Sequence, residues 1–110
     1  MKELTPAEIA KALNGQLRNA EGADVNKEVS CVEIDSRKIE PGGVFIATVG
    51  EKVDGHSFVG QVAEKGAVCA VVEKEGDYPL PYILVENSFE ALKKIAAFYR
   101  DKLDIPIIGI

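Results

Sequence analysis

Six consecutive positions, Val44 to Val49, carry Val-Phe-Ile-Ala-Thr-Val. A run apolar almost throughout predicts a strand covered on both faces. Ser30–Asp35 alternates instead, with Val32 and Ile34 on one face and Glu33 and Asp35 on the other. That pattern predicts a half-buried strand. Ala67–Glu73 (AVCAVVE) and Tyr82–Val85 read as further buried strands, and Ile105–Ile110 as a last one.

Helical spacing appears three times. Thr5-Pro6-Ala7-Glu8 offers a cap, a proline at the first helical position and the second half of a capping box. Ile9, Ala10 and Leu13 supply its apolar face, and Asn14-Gly15 a stop. Asp54 is a plausible cap for a helix carrying Phe58, Val59, Val62 and Ala63, ended by Gly66. Asn87 and Glu90 suggest another capping box before a stripe of Leu92, Ile95, Ala96, Tyr99 and Leu103.

Between these elements lie a polar stretch from Gln16 to Asn26, a Pro41-Gly42-Gly43 turn, a loop from Gly50 to Gly55 and a hydrophilic loop from Lys74 to Pro81. From Val44 onward the order is strand, helix, strand, strand, helix, strand. Apolar strands separated by amphipathic helices predict an α/β fold. We expect three layers, a mainly parallel or mixed sheet flanked by helices. Residues 1–104 would form one domain, and residues 105–110 the first strand leading into another. A terminal Ile-Gly-Ile with no turn after it reads as a chain cut at a domain boundary, or as an edge strand.

Composition narrows the function. The 110 residues are 46% apolar and 28% charged, ordinary for a folded domain with one core. The net charge of -5, from 13 basic and 18 acidic residues, argues against nucleic acid, which recruits clustered Lys and Arg. No apolar run approaches the ~20 residues of a membrane span, and the N-terminus lacks the apolar region of a signal peptide. A cytoplasmic, monomeric protein is the expectation. Cys31 and Cys69 sit in apolar runs without a CxxC pattern, as reduced, buried thiols would. With one His and two distant Cys, a zinc site is not expected. The acidic set Glu73, Glu75 and Asp77 reads as a solvated loop without calcium-binding spacing.

The chemistry concentrates between Asp35 and Phe58. Ser36 and Arg37 could donate to a small anionic ligand, or serve as a turn cap and a surface Arg paired to a neighbouring acid. Ala47 and Thr48 end the central strand, where α/β sheets place ligands. Gly50 and Gly55 would allow close backbone approach or positive φ, and the N–H groups of Gly55 to Phe58 could receive an anion. His56 is the single histidine. It has no nucleophile beside it in sequence, so it reads as a hydrogen bonder at a helix start rather than a catalyst. Phe45, Phe58 and Tyr99 are expected in the core.

The ordered set Asp35-Ser36-Arg37, Pro41-Gly42, Phe45-Ile46-Ala47-Thr48, Gly50, Asp54-Gly55-His56, Phe58, Ala63 and Gly66-Ala67 resembles the N-terminal domain of the Mur ligases, the MurF type most of all. LTPAEIAKALNG is similar to the family's opening helix, and ALKKIAAFYRDKLDIPIIGI to the segment entering its ATP-binding loop. Gly43, Val44 and Thr48 depart from the residues usual in the family. No GxxxxGK[ST] motif is present, so the residues alone indicate no nucleotide hydrolysis.

The resemblance implies a module that holds the UDP end of UDP-MurNAc-tripeptide through Ser36, Arg37, Ala47, Thr48, Gly50, Asp54, Gly55 and His56. It implies no catalytic residue and no metal site in this chain. In the full-length ligase, ATP and magnesium would convert the substrate carboxylate to an acyl phosphate, which D-Ala-D-Ala then attacks. A MurE-type ligase adding the third stem residue is the neighbouring alternative. A stand-alone UDP-sugar-binding module and a purely structural domain are alternatives of other classes.

Overall fold

The computed structural model describes residues 5–22, 26–49 and 54–99. Helix α1 spans Pro6–Leu13, and strands β1, β2 and β3 span Gln16–Arg18, Val32–Glu33 and Val44–Ile46. A 3₁₀ turn at Gly55–Phe58 leads into α2, Val59–Glu64, followed by β4 at Cys69–Val72, β5 at Tyr82–Leu84 and α3 at Ser88–Tyr99. The expected last strand at residues 105–110 and the proposed boundary at 104 lie outside the described residues.

The strands form one sheet in the order β1-β5-β4-β3-β2. Strands β2 to β5 are mutually parallel, with Val32 opposite Val44, Val44 opposite Cys69 and Ala70 opposite Tyr82. Among the described residues only β1 runs antiparallel, pairing Leu17 with Ile83 at the edge. The sheet is therefore mixed, and the edge strand is the polar segment whose sequence pattern is weakest.

Because successive side chains along a strand point to opposite faces, each all-apolar strand feeds two cores. Val44, Ile46, Cys69, Val71 and Ile83 pack with Ile9 and Leu13 of α1 and Ala91 and Ile95 of α3. Phe45, Ala47, Ala70, Val72 and Tyr82 pack with Val59 and Val62 of α2. These two cores are the physical content of the three-layer expectation, and Phe45 belongs to the second of them as expected. Phe58 packs against it half-buried, while the side chain of Tyr99 lies outside the described residues.

Helix ends follow the local chemistry. Thr5 Oγ1 accepts the N–H of Glu8 at 3.1 Å, and Asn14 terminates α1 in the left-handed region at φ 53°. The adjacent Gly15 is needed for a close approach, since a Cβ there would lie 2.6 Å from Ile83 Cγ2. At α3, Asn87 Oδ1 accepts the N–H of Glu90 at 3.0 Å. The Glu90 carboxylate reaches Lys93 at 3.5 Å, a surface pair one turn on. The half-buried strand expected over Ser30–Asp35 is shorter in the structure. Glu33 Oε1 accepts the N–H groups of Ile34 and Asp35 at 3.0 and 3.1 Å, diverting the backbone from the ladder.

Parallel neighbours ordinarily need a crossover of a dozen or more residues. The connection from β4 to β5 is shorter and carries no helix. It crosses the face covered by α2, held there by buried Leu80 and half-buried Tyr78. The Tyr78 ring meets Tyr82 edge-on at 4.9 Å. Asn19 Nδ2 donates to the carbonyls of Tyr78 and Leu80, both at 3.0 Å.

Candidate functional site

The parallel register places the ends of β2, β3 and β4 along one edge of the sheet. Glu33 stands opposite Phe45, and Ile46 opposite Val71. Ser36 and Thr48 therefore leave the sheet a few residues past matched positions of adjacent strands. This carboxyl edge is where open α/β sheets present ligand sites.

Ser36 sits in a turn built by Asp35. The Asp35 carboxylate accepts the backbone N–H of Arg37 at 2.9 Å, and its carbonyl accepts that of Lys38 at 3.0 Å. Ser36 is 8% exposed. Its carbonyl takes a 2.9 Å hydrogen bond from Lys65 Nζ, reaching across from the end of α2. Among the described residues the Ser36 hydroxyl has no hydrogen-bond partner. Sequence reasoning passed over Lys65, because nothing in the spacing of a helix-terminal lysine announces that it will brace a distant turn.

Arg37 takes the simpler of its two roles in this structure. Its guanidinium forks onto Asp35, with Nε to Oδ1 at 3.1 Å and Nη2 to Oδ2 at 3.0 Å, while remaining 84% exposed. The pair pulls the Asp35 carboxyl down to about 2 and raises Arg37 in return. An incoming anion could recruit this arginine only in competition with Asp35.

Ala47 is buried, and its N–H is accepted by Val71 at 2.9 Å. Thr48 is half-buried where the strand ends. Gly50 lies outside the described residues. The chain comes back through a bridge between Val49 and Asp54, and the Gly55 N–H donates to the Thr48 carbonyl at 2.8 Å. The structure thereby corrects the expectation of positive φ at Gly55, which is not among the glycines that adopt it. A Cβ at 55 would meet Thr48 O at 2.8 Å, Thr48 N at 2.9 Å and Ala47 Cα at 3.1 Å. Gly55 is required by its own chain.

The anion site expected at the N–H groups from Gly55 onward is likewise corrected. Gly55 donates to Thr48, His56 to Asp54 Oδ1 at 2.9 Å, and Ser57 to the Asp54 carbonyl at 3.1 Å. Asp54 is the cap that the sequence suggests, and it fills the position an external anion would need. Its other oxygen receives Lys74 Nζ at 2.9 Å. Lys74, then the N–H and ring of His56, hold the Asp54 carboxyl far below the usual carboxylate range, and Asp54 raises Lys74.

His56 is 9% exposed at its side chain. Its Nδ1 lies 2.6 Å from Asp54 Oδ1, and its Nε2 accepts the backbone N–H of Glu73 at 2.9 Å. Both ring nitrogens are thus engaged within the protein. The solvated loop expected for the acidic set does not extend to half-buried Glu73. Its carboxylate instead accepts the N–H and hydroxyl of buried Ser88, while Glu75 pairs with Arg18 at 2.6 Å.

A cavity of about 700 Å³ opens beside this network, lined by Glu73, Glu75, Glu86, Glu90 and Lys94 among others. Four carboxylates against one ammonium make it unfavourable for a diphosphate. Among the described residues no group of three His, Cys, Asp or Glu could hold a metal ion, and no helix is long and apolar enough to cross a membrane. Cys69 is buried and its thiol pushed up to about 12 by that burial, while Cys31 is half-buried.

A sheet of this topology with this edge has close counterparts. The chain superposes on the crystal structure of MurF from Acinetobacter baumannii with a TM-score of 0.78 and 30% identity, covering 89% of this chain and 21% of that one. It is 31% identical over its full length to the UDP-N-acetylmuramoyl-tripeptide–D-alanyl-D-alanine ligase of Escherichia coli K12, of which it spans 23%. Over 72 residues it is 42% identical to the UDP-N-acetylmuramoyl-L-alanyl-D-glutamate–2,6-diaminopimelate ligase of Listeria monocytogenes EGD-e, covering 66% of this chain and 15% of that one. The chain therefore spans less than a quarter of either of these ligases. The family profile described as "Mur ligase family, catalytic domain" matches residues 28–105, the stretch that contains the Ser36 turn, the Asp54–His56 network and strands β2 to β5, and on that match this chain belongs to the Mur ligase family.

Proposed function

We propose that this chain is the part of a MurF-type ligase that holds the uridine diphosphate end of UDP-MurNAc-tripeptide. The observation that carries the reading is Ser36. Its hydroxyl has no hydrogen-bond partner among the described residues, and its turn is braced by Lys65 at the carboxyl edge of the sheet. Serine hydroxyls and exposed main-chain groups suit a diphosphate or uracil, and a braced turn presents them with little ordering cost. Arg37, Ala47, Thr48 and Gly50 would complete the contact surface, with Asp54, Gly55 and His56 shaping it from behind.

The full-length identity to a tripeptide ligase supports the MurF reading. In such a ligase, ATP and magnesium would be held outside the matched segment. The substrate carboxylate would be phosphorylated there, and the amine of D-Ala-D-Ala would displace the phosphate to form the new amide. This chain contributes binding and orientation to that reaction. The higher local identity to the diaminopimelate ligase favours a second reading, a MurE-type enzyme acting one step earlier on the peptide stem.

The test is an amide chemical-shift titration of the chain with UDP-MurNAc-tripeptide, using UMP and ATP as comparisons. Shifts centred on Ser36, Thr48 and Gly50 with both uridine ligands, and none with ATP, are expected. Ser36→Ala should weaken binding about tenfold by removing one hydrogen bond to a charged ligand. Unchanged binding in that variant, or equal shifts with ATP, would overturn the assignment.

A further inference from the structure

We propose that His56 is a positioning residue, a clamp that fixes Asp54, bridged to Val49, against the carboxyl end of β4. Its backbone N–H and ring Nδ1 meet Asp54 Oδ1 on one side, and its Nε2 meets the Glu73 N–H on the other. A backbone N–H can be accepted only by a ring nitrogen without a proton, so the geometry places the imidazole proton on Nδ1, facing the Asp54 carboxylate.

The clamp is one link in a longer chain of contacts. Lys74 holds the second oxygen of Asp54, and Glu73 passes the connection on to Ser88 at the start of α3. On the other side, Asp54 bridges to Val49 and Gly55 is pressed against Thr48. Three separate pieces of chain, the β3 exit, the β4 exit and the α3 start, are locked together through one buried ring. The ring supplies a donor and an acceptor on opposite sides, a separation that a short amide side chain does not span. The position of Thr48 at the strand end then follows from His56, without any contact between His56 and a ligand. That last consequence rests on the uridine-site reading; the clamp itself does not.

The experiment uses the chain labelled with ¹⁵N, including its single histidine. Long-range ¹H–¹⁵N correlation reports which ring nitrogen carries the proton, and a nitrogen–nitrogen coupling across the hydrogen bond links His56 Nε2 to the Glu73 amide. The expected result is a protonated Nδ1, an unprotonated Nε2 and a measurable coupling, all unchanged on saturation with UDP-MurNAc-tripeptide. In His56→Ala, hydrogen exchange at the Glu73 amide should speed about tenfold, the loss of one buried hydrogen bond, and the Thr48 and Asp54 amides should shift.

A proton on Nε2, or no coupling in the free chain, overturns the clamp. A coupling that vanishes when the uridine ligand binds makes His56 a ligand contact and overturns it as well. An intact coupling with no binding of UDP-MurNAc-tripeptide supports the clamp and overturns the uridine reading alone.

Discussion

The carboxylate of Glu73, just past β4, accepts both the backbone N–H of Ser88 at 3.2 Å and its hydroxyl at 2.5 Å. Ser88 is fully buried. A helix start has N–H groups with no partner inside the helix, and here one of them is satisfied by an acid fifteen residues upstream. A negative charge at that end also suits the helix dipole.

Glu73→Ala should therefore destabilise the domain by about 1 kcal/mol, the usual cost of a lost cap, and more if the buried hydroxyl finds no other acceptor. Glu73→Gln, which keeps an acceptor, should lose less. Urea unfolding of the two variants checks the order. Equal stability of Glu73→Ala and the parent would show that the contact contributes nothing.

Gly55→Ala should cost roughly 1–3 kcal/mol, the range for forcing atoms into a packed site. The clash is with backbone atoms of Thr48 and Ala47, which cannot swing aside as a side-chain tip can. Gly60, where an added Cβ would meet nothing, is the control. It lies inside α2, so Gly60→Ala should be neutral or stabilising. A thermal melt in which both variants fall equally would refute the distinction.

Acid should act through Asp35 and Asp54. Both carboxyls are depressed in the folded chain, Asp35 by Arg37 and Asp54 by Lys74 first and His56 second. A depressed acid contributes stability above its ordinary value of 3.8 and loses it as pH falls through the folded value. Both groups are reached by solvent, so each contribution is small. The stability difference between the parent and Asp35→Asn should hold from pH 7 to about 4, narrow below that, and close near about 2. A difference that persists at pH 2 would mean that the Arg37 pair is not its source.

Thiol chemistry should separate the two cysteines. Cys69 is buried with its thiol raised to about 12, whereas Cys31 is half-buried. The thiolate is the reactive form, so the folded chain at pH 8 should react quickly at Cys31 and slowly at Cys69. Both should react at one rate in denaturant. Fast labelling of Cys69 under native conditions would show that its strand opens readily.

Much of the fold was legible in order of residues because strand and helix periods are written locally. The six-residue apolar run predicted a strand buried on both faces; β3 takes only its first half, Val44–Ile46, with apolar cores on each side, while Val49 is exposed. Thr5, Asn14, Asp54 and Asn87 took the capping and stop roles their side chains suggest, since a cap needs only neighbours a few residues away. The family could be read too, because the order of Asp35-Ser36-Arg37, Pro41-Gly42 and Asp54-Gly55-His56 is a property of sequence alone.

What the tertiary structure decided is how those residues are used. Periodicity cannot say that β1 pairs antiparallel with β5, because register and direction depend on which edge remains open. Nor can it say that Lys65 braces Ser36, that Gly55 is pressed against Thr48, or that His56 reaches Glu73. Each joins positions brought together only when loops fold back over the sheet edge. The sequence named a cluster of polar residues at the end of a strand. Only the packing divided it into a serine turn braced by Lys65 and an aspartate–histidine pair that ties the β3 exit to the β4 exit.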